Sequence, residues 1–311
     1  MALKLGVHTG QQNCTYEDLR RVWRLADSSG LYWVSIWDHF YDNPSVDGTG
    51  ACFEGISIMA ALAAETTNVR VGSLVFGMGY RYPAVLAKAA ITIDHVSNGR
   101  LELGLGAGWF ELEHNAFGIP FPPVGVRMDI FEEGVQIIKS MMTQESTTFT
   151  GKHFQVTNAL SYPRPVQEHP RIWIGGRGER RTLRIAARYA DGWNAAYIPP
   201  EEYKHKIGVL EDWCEKESRD ATEITRTVNV GFWIGANQAD ADAERKRYQE
   251  LYGATADERS GGQLFGTAKD AVDRIGAYVD AGAEGLNIAL RAPFNWDALH
   301  SFMEEVVPAF A

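Results

Sequence analysis

Cysteine is scarce in this sequence, and the three that occur, Cys14, Cys52 and Cys214, stand far apart. Without a CxxC pair or an even set, the chain offers neither a disulfide framework nor a thiolate zinc site, as in chains of a reducing compartment. No apolar run is long enough to span a bilayer. Positive charge is also in deficit, with 30 Lys and Arg against 40 Asp and Glu and a formal net charge of -10. Phosphate backbones and anionic lipid are repelled on average, so neither nucleic acid nor membrane is an expected partner. The opening MALKLGVHTG enters a strand-like segment directly and lacks signal-peptide architecture, which makes the cytoplasm the expected location.

Core, by contrast, is plentiful. The 311 residues are 45% hydrophobic and 23% charged, enough for one large domain spanning 1–311. Short apolar runs alternate with longer helical patterns. LKLGVH reads as a strand, and YEDLRRVWRLADSSG places Leu19, Val22, Trp23 and Ala26 on one helical face before a stop at Gly30. WVSIW, VRVGSLVF, RLELGLGAG, RIWIGG, DGWNAAY, RTVNVGFWIG and EGLNIAL repeat the strand pattern, each with a helical stretch behind it. Eight such units predict an α/β fold of the TIM-barrel (β/α)8 type, with an open doubly wound sheet as the alternative. Insertions are expected near 109–125, 145–168 and 239–265. The second carries a small hairpin around Gly151, and the third a helix plus a mobile stretch.

In a barrel, chemistry sits where strands end. His39, at the end of the second strand, can donate or accept a proton near neutrality, or serve as a hydrogen-bonded structural histidine. Asp38 either supports it or anchors loops. His8 ends the first strand, but no HExxH or close Cys/His cluster completes a metal set, so no metal is expected. Gly106, Ala107 and Gly108 keep the fourth strand end open for a flat ligand to lie against backbone. Their GLGAGW context lacks the full dinucleotide-binding spacing. Gly175, Gly176 and Gly178 precede a helix expected from about Glu179, an arrangement suited to phosphate. Arg177, Arg180 and Arg181 add positive charge there, although arginines on helix surfaces are commonly just solvated.

These pieces, in this order, resemble the bacterial luciferase-like superfamily and its coenzyme F420-dependent oxidoreductases. The likeness is carried by WDHF at 37–40, the run from Val69 to Trp109, GVRMDIFEEGVQIIKSMM at 125–142, FTGKHFQV, and PRIWIGGRGERRTLRIAARYADGWN at 170–194. The resemblance implies a barrel with a deazaflavin or flavin in its upper opening. It also implies a non-proline cis peptide at Ser73–Leu74 behind the ring, His39 as the catalytic residue, and Asp38 and the strand-4 and strand-5 segments around the cofactor. His8, Trp37, Phe76, Trp109 and Trp193 would wall the substrate pocket. The implied reaction moves a hydride between F420 and a small organic substrate with an activated C=C, C=N or C=O. The alternative is an FMN-dependent monooxygenase using reduced flavin and O2. A homodimer is the family's prior. One departure stands out: the glucose-6-phosphate dehydrogenases of this family place a glutamate where this chain has Trp109, and an indole cannot exchange that proton.

Overall fold

The computed structural model describes residues 2–43 and 47–311. Among them, eight parallel strands close on themselves in chain order. They are Lys4–Thr9, Trp33–Ile36, Arg70–Ser73, Leu101–Gly106, Arg171–Gly175, Gly192–Ala196, Thr225–Ile234 and Gly285–Leu290. The last pairs with the first, Lys4 opposite Gly285 and Thr9 opposite Leu290, which completes the barrel. Two short strands extend the sheet: Phe76–Gly77 beside the fourth barrel strand and Gln263–Gly266 beside the seventh.

Helices cover the outside for reasons visible in their residues. Thr15 and Asp18 form a reciprocal capping box at the start of Tyr16–Ser28, a device worth about 1 kcal/mol. Leu19, Val22, Trp23 and Ala26 of that helix are buried on one face, as its spacing predicts, and Gly30 adopts φ +73 just beyond it. Trp23 is fully buried, so Trp23→Ala would cost about 3–5 kcal/mol. Among the described residues no helix is long and apolar enough to cross a membrane.

The barrel interior is filled. Trp33 and Trp173 pack with ring centroids 4.9 Å apart. Room for them comes from missing side chains: a Cβ on Gly6 would lie 2.3 Å from Trp33, and one on Gly192 would lie 2.3 Å from Trp173. Asn287 accepts from Trp33 Nε1, and Asn194 and Asn287 both donate to Asn229 Oδ1, at 3.1 and 2.8 Å. Glu102 is fully buried and takes hydrogen bonds from Tyr32, Arg70 and Trp173. A plugged interior leaves the strand C-termini as the place for a ligand.

The connections are themselves structured. Ser146–Thr150 and Gln155–Leu160 form an antiparallel hairpin with Phe149 opposite Val156. Its turn is pinned to the helix Val124–Thr143 by Glu133, whose carboxylate accepts the N–H groups of Lys152, His153 and Phe154. The segment after the seventh strand, expected to include a mobile stretch, forms the helix Gln238–Tyr252, short helical turns and the strand Gln263–Gly266. Its own buried cluster of Trp233, Tyr248 and Ala256 holds it to the seventh strand.

Candidate active site

The loop after the second strand, Trp37 to Asn43, is gripped along its length by side chains. Gln11 accepts the N–H of Trp37 at 3.2 Å and donates to its carbonyl at 2.5 Å. Gln12 does the same to Asn43, at 2.9 and 2.7 Å. Between these ends the carboxylate of Glu113 accepts the N–H groups of Phe40 and Tyr41, each at 2.8 Å. Glu113 also accepts the Tyr80 hydroxyl at 2.6 Å and His39 Nδ1 at 3.0 Å.

This arrangement orients His39. Burial alone would raise the Glu113 carboxyl, but His39, Tyr80 and the Tyr41 N–H together hold it below the usual carboxylate range. An ionised carboxylate only accepts, so Nδ1 of His39 carries the proton and Nε2 is the nitrogen left for other chemistry. The imidazole meets Trp109 edge-on at 5.5 Å and Phe110 at 5.7 Å, and these two rings stack on each other at 5.0 Å. Trp109 is 58% exposed, a large ring left open to the mouth. Trp37 packs against both His39 and His8. His8 donates or accepts at Ser35 Oγ, 2.9 Å away, and burial, aided by Arg291 and His39, pushes its pKa down to about 3. It is therefore neutral near pH 7.

Asp38, the neighbour of His39, points elsewhere. Its Oδ2 takes the N–H of Gly77 at 2.9 Å and Arg81 at 2.6 Å, and Arg81 continues to Glu54. Burial raises the Asp38 carboxyl against the opposing pull of Arg81 and the Gly77 N–H. In this geometry Asp38 anchors the strand-3 extension to the loop.

The cis peptide lies at Leu74–Val75, one bond later than Ser73–Leu74. Ser73 is still in the ladder opposite Ile36, and its hydroxyl bonds the backbone of Gly104 on both sides, at 2.9 and 3.0 Å. The bulge therefore starts after it, and Leu74 and Val75 form it. A Cβ on Gly106 would lie 2.4 Å from Val75 and one on Gly175 would lie 2.6 Å from it, so these glycines make room for the bulge.

Gly108 and Gly176 have φ +75 and +128, backbone that only glycine adopts readily. Gly176 donates its N–H to Asn194 and accepts from Trp193 Nε1, whereas Gly178 is exposed. The following helix is Thr182–Tyr189, three residues later than expected, and Glu179 lies in the turn before it, bonded to Lys206 and His205. Arg177 reaches Glu202 at 3.7 Å, and Arg180 is exposed with no ion pair among the described residues. Arg181 ties this turn to Gly125 and Asp129 at the start of the long helix.

Two expected wall residues lie outside the mouth. Trp193 is fully buried and stacked on Tyr203 at 5.5 Å, because alternate strand residues face opposite ways and the inward place belongs to Asn194. Phe76 is 1% exposed and packs into the outer core near Gly55 and Arg81.

Beside the fourth strand end is a cavity of about 370 Å³ lined by Met78, Tyr80, Ala107, His114, Arg127 and Phe154, among others, with no carboxylate among its lining residues. Arg127 lies 3.9 Å over Phe121, donates to Pro122 O at 2.8 Å, and makes no ion pair among the described residues. In an acidic chain an unpaired guanidinium in a cavity suits an anion. Three buried polar atoms at the strand-1 and strand-2 ends, Thr9 Oγ1, Trp37 Nε1 and Asp38 Oδ1, also lack partners among the described residues. Among those residues no group of three or more His, Cys, Asp or Glu could hold a metal ion.

Glu113, Tyr80 and Arg127 were not singled out by sequence reasoning. Glu111 and Glu113 are indistinguishable there; the short helix Glu111–Ala116 exposes the first and buries the second.

The family model for luciferase-like monooxygenases matches residues 2–285. An F420-dependent glucose-6-phosphate dehydrogenase of Kineococcus radiotolerans is 29% identical over 261 residues, covering 83% of this chain and 76% of that enzyme. The enzyme of the same name from Nakamurella multipartita is 31% identical over 225 residues, covering 71% and 63%. Among solved structures, an F420-dependent secondary alcohol dehydrogenase superposes over the whole of both chains with a TM-score of 0.87 at 19% identity. The monooxygenase RslO1 of Streptomyces bottropensis superposes with a TM-score of 0.81 at 20% identity, over 99% of this chain and 100% of that one. At such identities the structures establish a shared fold. With the family model spanning most of its length, the chain belongs to the luciferase-like monooxygenase family.

Proposed function

We propose that the protein is a coenzyme F420-dependent oxidoreductase that transfers a hydride between F420 and a small organic substrate, with His39 moving the accompanying proton. The observation that carries this is the His39–Glu113 pair, which fixes Nδ1 as a donor and leaves Nε2 for exchange beside an open strand-end backbone. The F420-dependent dehydrogenases among its relatives support the cofactor. F420, when bound, supplies a carbon-centred hydride donor or acceptor.

The residues present fit such a group. Leu74 and Val75 offer a bulge for one face of the ring, with Gly106, Ala107 and Gly108 open beside it. The anionic arm would be held between the Gly176–Gly178 turn, with Arg177 and Arg180, and the Arg127 cavity. Arg181 joins these two places by bonding the long helix from the strand-5 side. Trp37, itself buried, and the open ring of Trp109 both pack against His39 and would flank a bound ring there. Trp109 also replaces the carboxylate that sugar-phosphate oxidation would use, so the substrate is expected to be a flat activated C=C, C=N or C=O compound. The three free cysteines support a cytoplasmic location, and the family resemblance supports a homodimer, which light scattering checks.

Anaerobic fluorescence titration of the apo protein with F420 and with FMN tests the cofactor. F420 should saturate at the lower concentration. Saturation by FMN with none by F420 would replace this reading with a flavin monooxygenase.

A further inference from the structure

Tyr197 follows the sixth barrel strand, on the rim that carries catalytic groups in barrels. It is a bulky residue at φ +57, in the left-handed region such residues avoid. The surroundings enforce that backbone. Its N–H bonds Asn229 O at 2.9 Å, and Gly262 packs so closely that a Cβ there would lie 2.2 Å from the Tyr197 carbonyl carbon. Conformations of this kind persist only where the surroundings over-determine them, and they cluster at functional sites.

The phenol hydroxyl is open to a partner. Tyr32, Tyr80, Tyr248 and Tyr278 each give their hydroxyl to a carboxylate or carbonyl. The Tyr197 hydroxyl has no partner among the described residues, yet the residue is half-buried and reached by solvent. Tyr16, Tyr41, Tyr189, Tyr203 and Tyr252 also lack a hydroxyl partner among the described residues, but none of them has a left-handed backbone, and Tyr203 is sealed in the core where no ligand can come. Burial raises the Tyr197 pKa against the pull of Arg291, so the phenol is neutral and acts as a donor. Arg291, at the end of the eighth strand, lies 5.4 Å over Trp37 and has no carboxylate partner among the described residues. Trp37 in turn touches His8 and His39. His39, Trp37 and Arg291 thus lie together at the ends of the second and eighth strands, and Tyr197 stands at the end of the sixth, on the same rim.

We propose that Tyr197, on the same strand-end rim as His39 and Arg291, is the residue that holds the carbonyl oxygen of a conjugated enone-type substrate. This rests on the F420 reading for its reductant. The C=C bond takes a hydride at the β carbon and a proton at the α carbon, and reduced F420 is the two-electron donor. Charge that builds on the carbonyl oxygen as the hydride arrives is met by the phenol O–H.

The probe is 4-nitrophenolate, a flat oxyanion followed by its absorbance, added to apo and to F420-loaded protein. Tyr197→Phe should weaken its binding by about 10-fold or more, as loss of a hydrogen bond to a charged group does. With 2-cyclohexen-1-one as acceptor, kcat/KM should fall about 10²-fold in the same variant. F420 affinity and the thermal midpoint should stay at wild-type values. Wild-type probe affinity in Tyr197→Phe, or no probe binding by the wild-type protein, would overturn the assignment. The two readings fail separately. Tyr197-dependent probe binding to apo protein that has no F420 affinity would sink the cofactor and keep the donor, while F420 binding with Tyr197-independent probe binding would do the reverse.

Discussion

Glu113 and His39, 74 residues apart in the chain, meet at 3.0 Å through Oε2 and Nδ1. The contact joins the loop after the second strand to the short helix after the fourth. Because Glu113 also takes Tyr80 and two backbone N–H groups, it sets the position and the tautomer of the imidazole together.

Replacing Glu113 by Gln tests that pairing. The amide cannot accept all four donors as a charge, and its NH2 can drive the opposite histidine tautomer. Turnover should fall with a changed pH profile, and stability should drop by about 1–3 kcal/mol. The linkage sign follows from the lowered pKa: a carboxyl whose folded pKa lies below its unfolded value stabilises the fold above the unfolded value. That stabilisation is lost as pH falls through the folded one. The wild-type protein should therefore lose stability below about pH 4.3 more steeply than Glu113→Gln, which urea unfolding across that range measures.

His8 gives a second pH signature. Its folded pKa of about 3 lies below the ordinary value of 6.5, so the unfolded chain binds the extra proton between those limits. Stability from this site is complete above pH 6.5 and drains away as pH falls toward 3. His8→Gln should flatten that slope by roughly 5 kcal/mol across the window at most. By NMR the His8 ring should not titrate between pH 5 and 8; a midpoint in that range would contradict the buried, neutral assignment.

Much of this was legible in the sequence, and what was not has physical causes. The strand–helix alternation, the apolar face of Tyr16–Ser28 and the placing of His39, Trp37 and Trp109 at strand ends follow from periodicity and turn residues. Glu113 was not legible because a six-residue helix is too short for its pattern to say which glutamate faces inward. Trp193 and Phe76 were placed in the mouth by the family resemblance, but the alternation of the strand turned Trp193 outward and the packing beside Gly55 took Phe76 into the core. The bulge moved by one bond because the ladder pairing of Ser73 with Ile36 and the bonds of its hydroxyl to Gly104 are tertiary facts. Arg127 looked like any helix arginine, and only the fold shows it lining a cavity without a carboxylate.

Arg127→Met keeps the length of the side chain and removes the charge. F420 affinity should fall by about 10- to 100-fold, the scale of a lost hydrogen bond to an ionised group. The loss should shrink as salt is raised. Equal affinity of variant and parent at low salt, by fluorescence titration, would remove the cavity from the cofactor site.

Gly176→Val tests the strand-5 turn. At φ +128 a β-branched residue is strained, and its Cβ would lie 3.1 Å from Thr182. The variant should bind F420 and FMN far more weakly while its barrel circular dichroism is kept. Unchanged affinity in the folded variant would contradict a phosphate role for the turn.

The most direct measurement is anaerobic single-turnover oxidation of reduced F420 by an enone, quinone or imine acceptor, comparing the parent with His39→Ala. The variant should hold F420 as the parent does, since the anionic arm is bound elsewhere, and should transfer hydride about 10²–10⁴-fold more slowly. A parental rate with the parental pH dependence would contradict it, leaving His39 a structural residue held by Glu113.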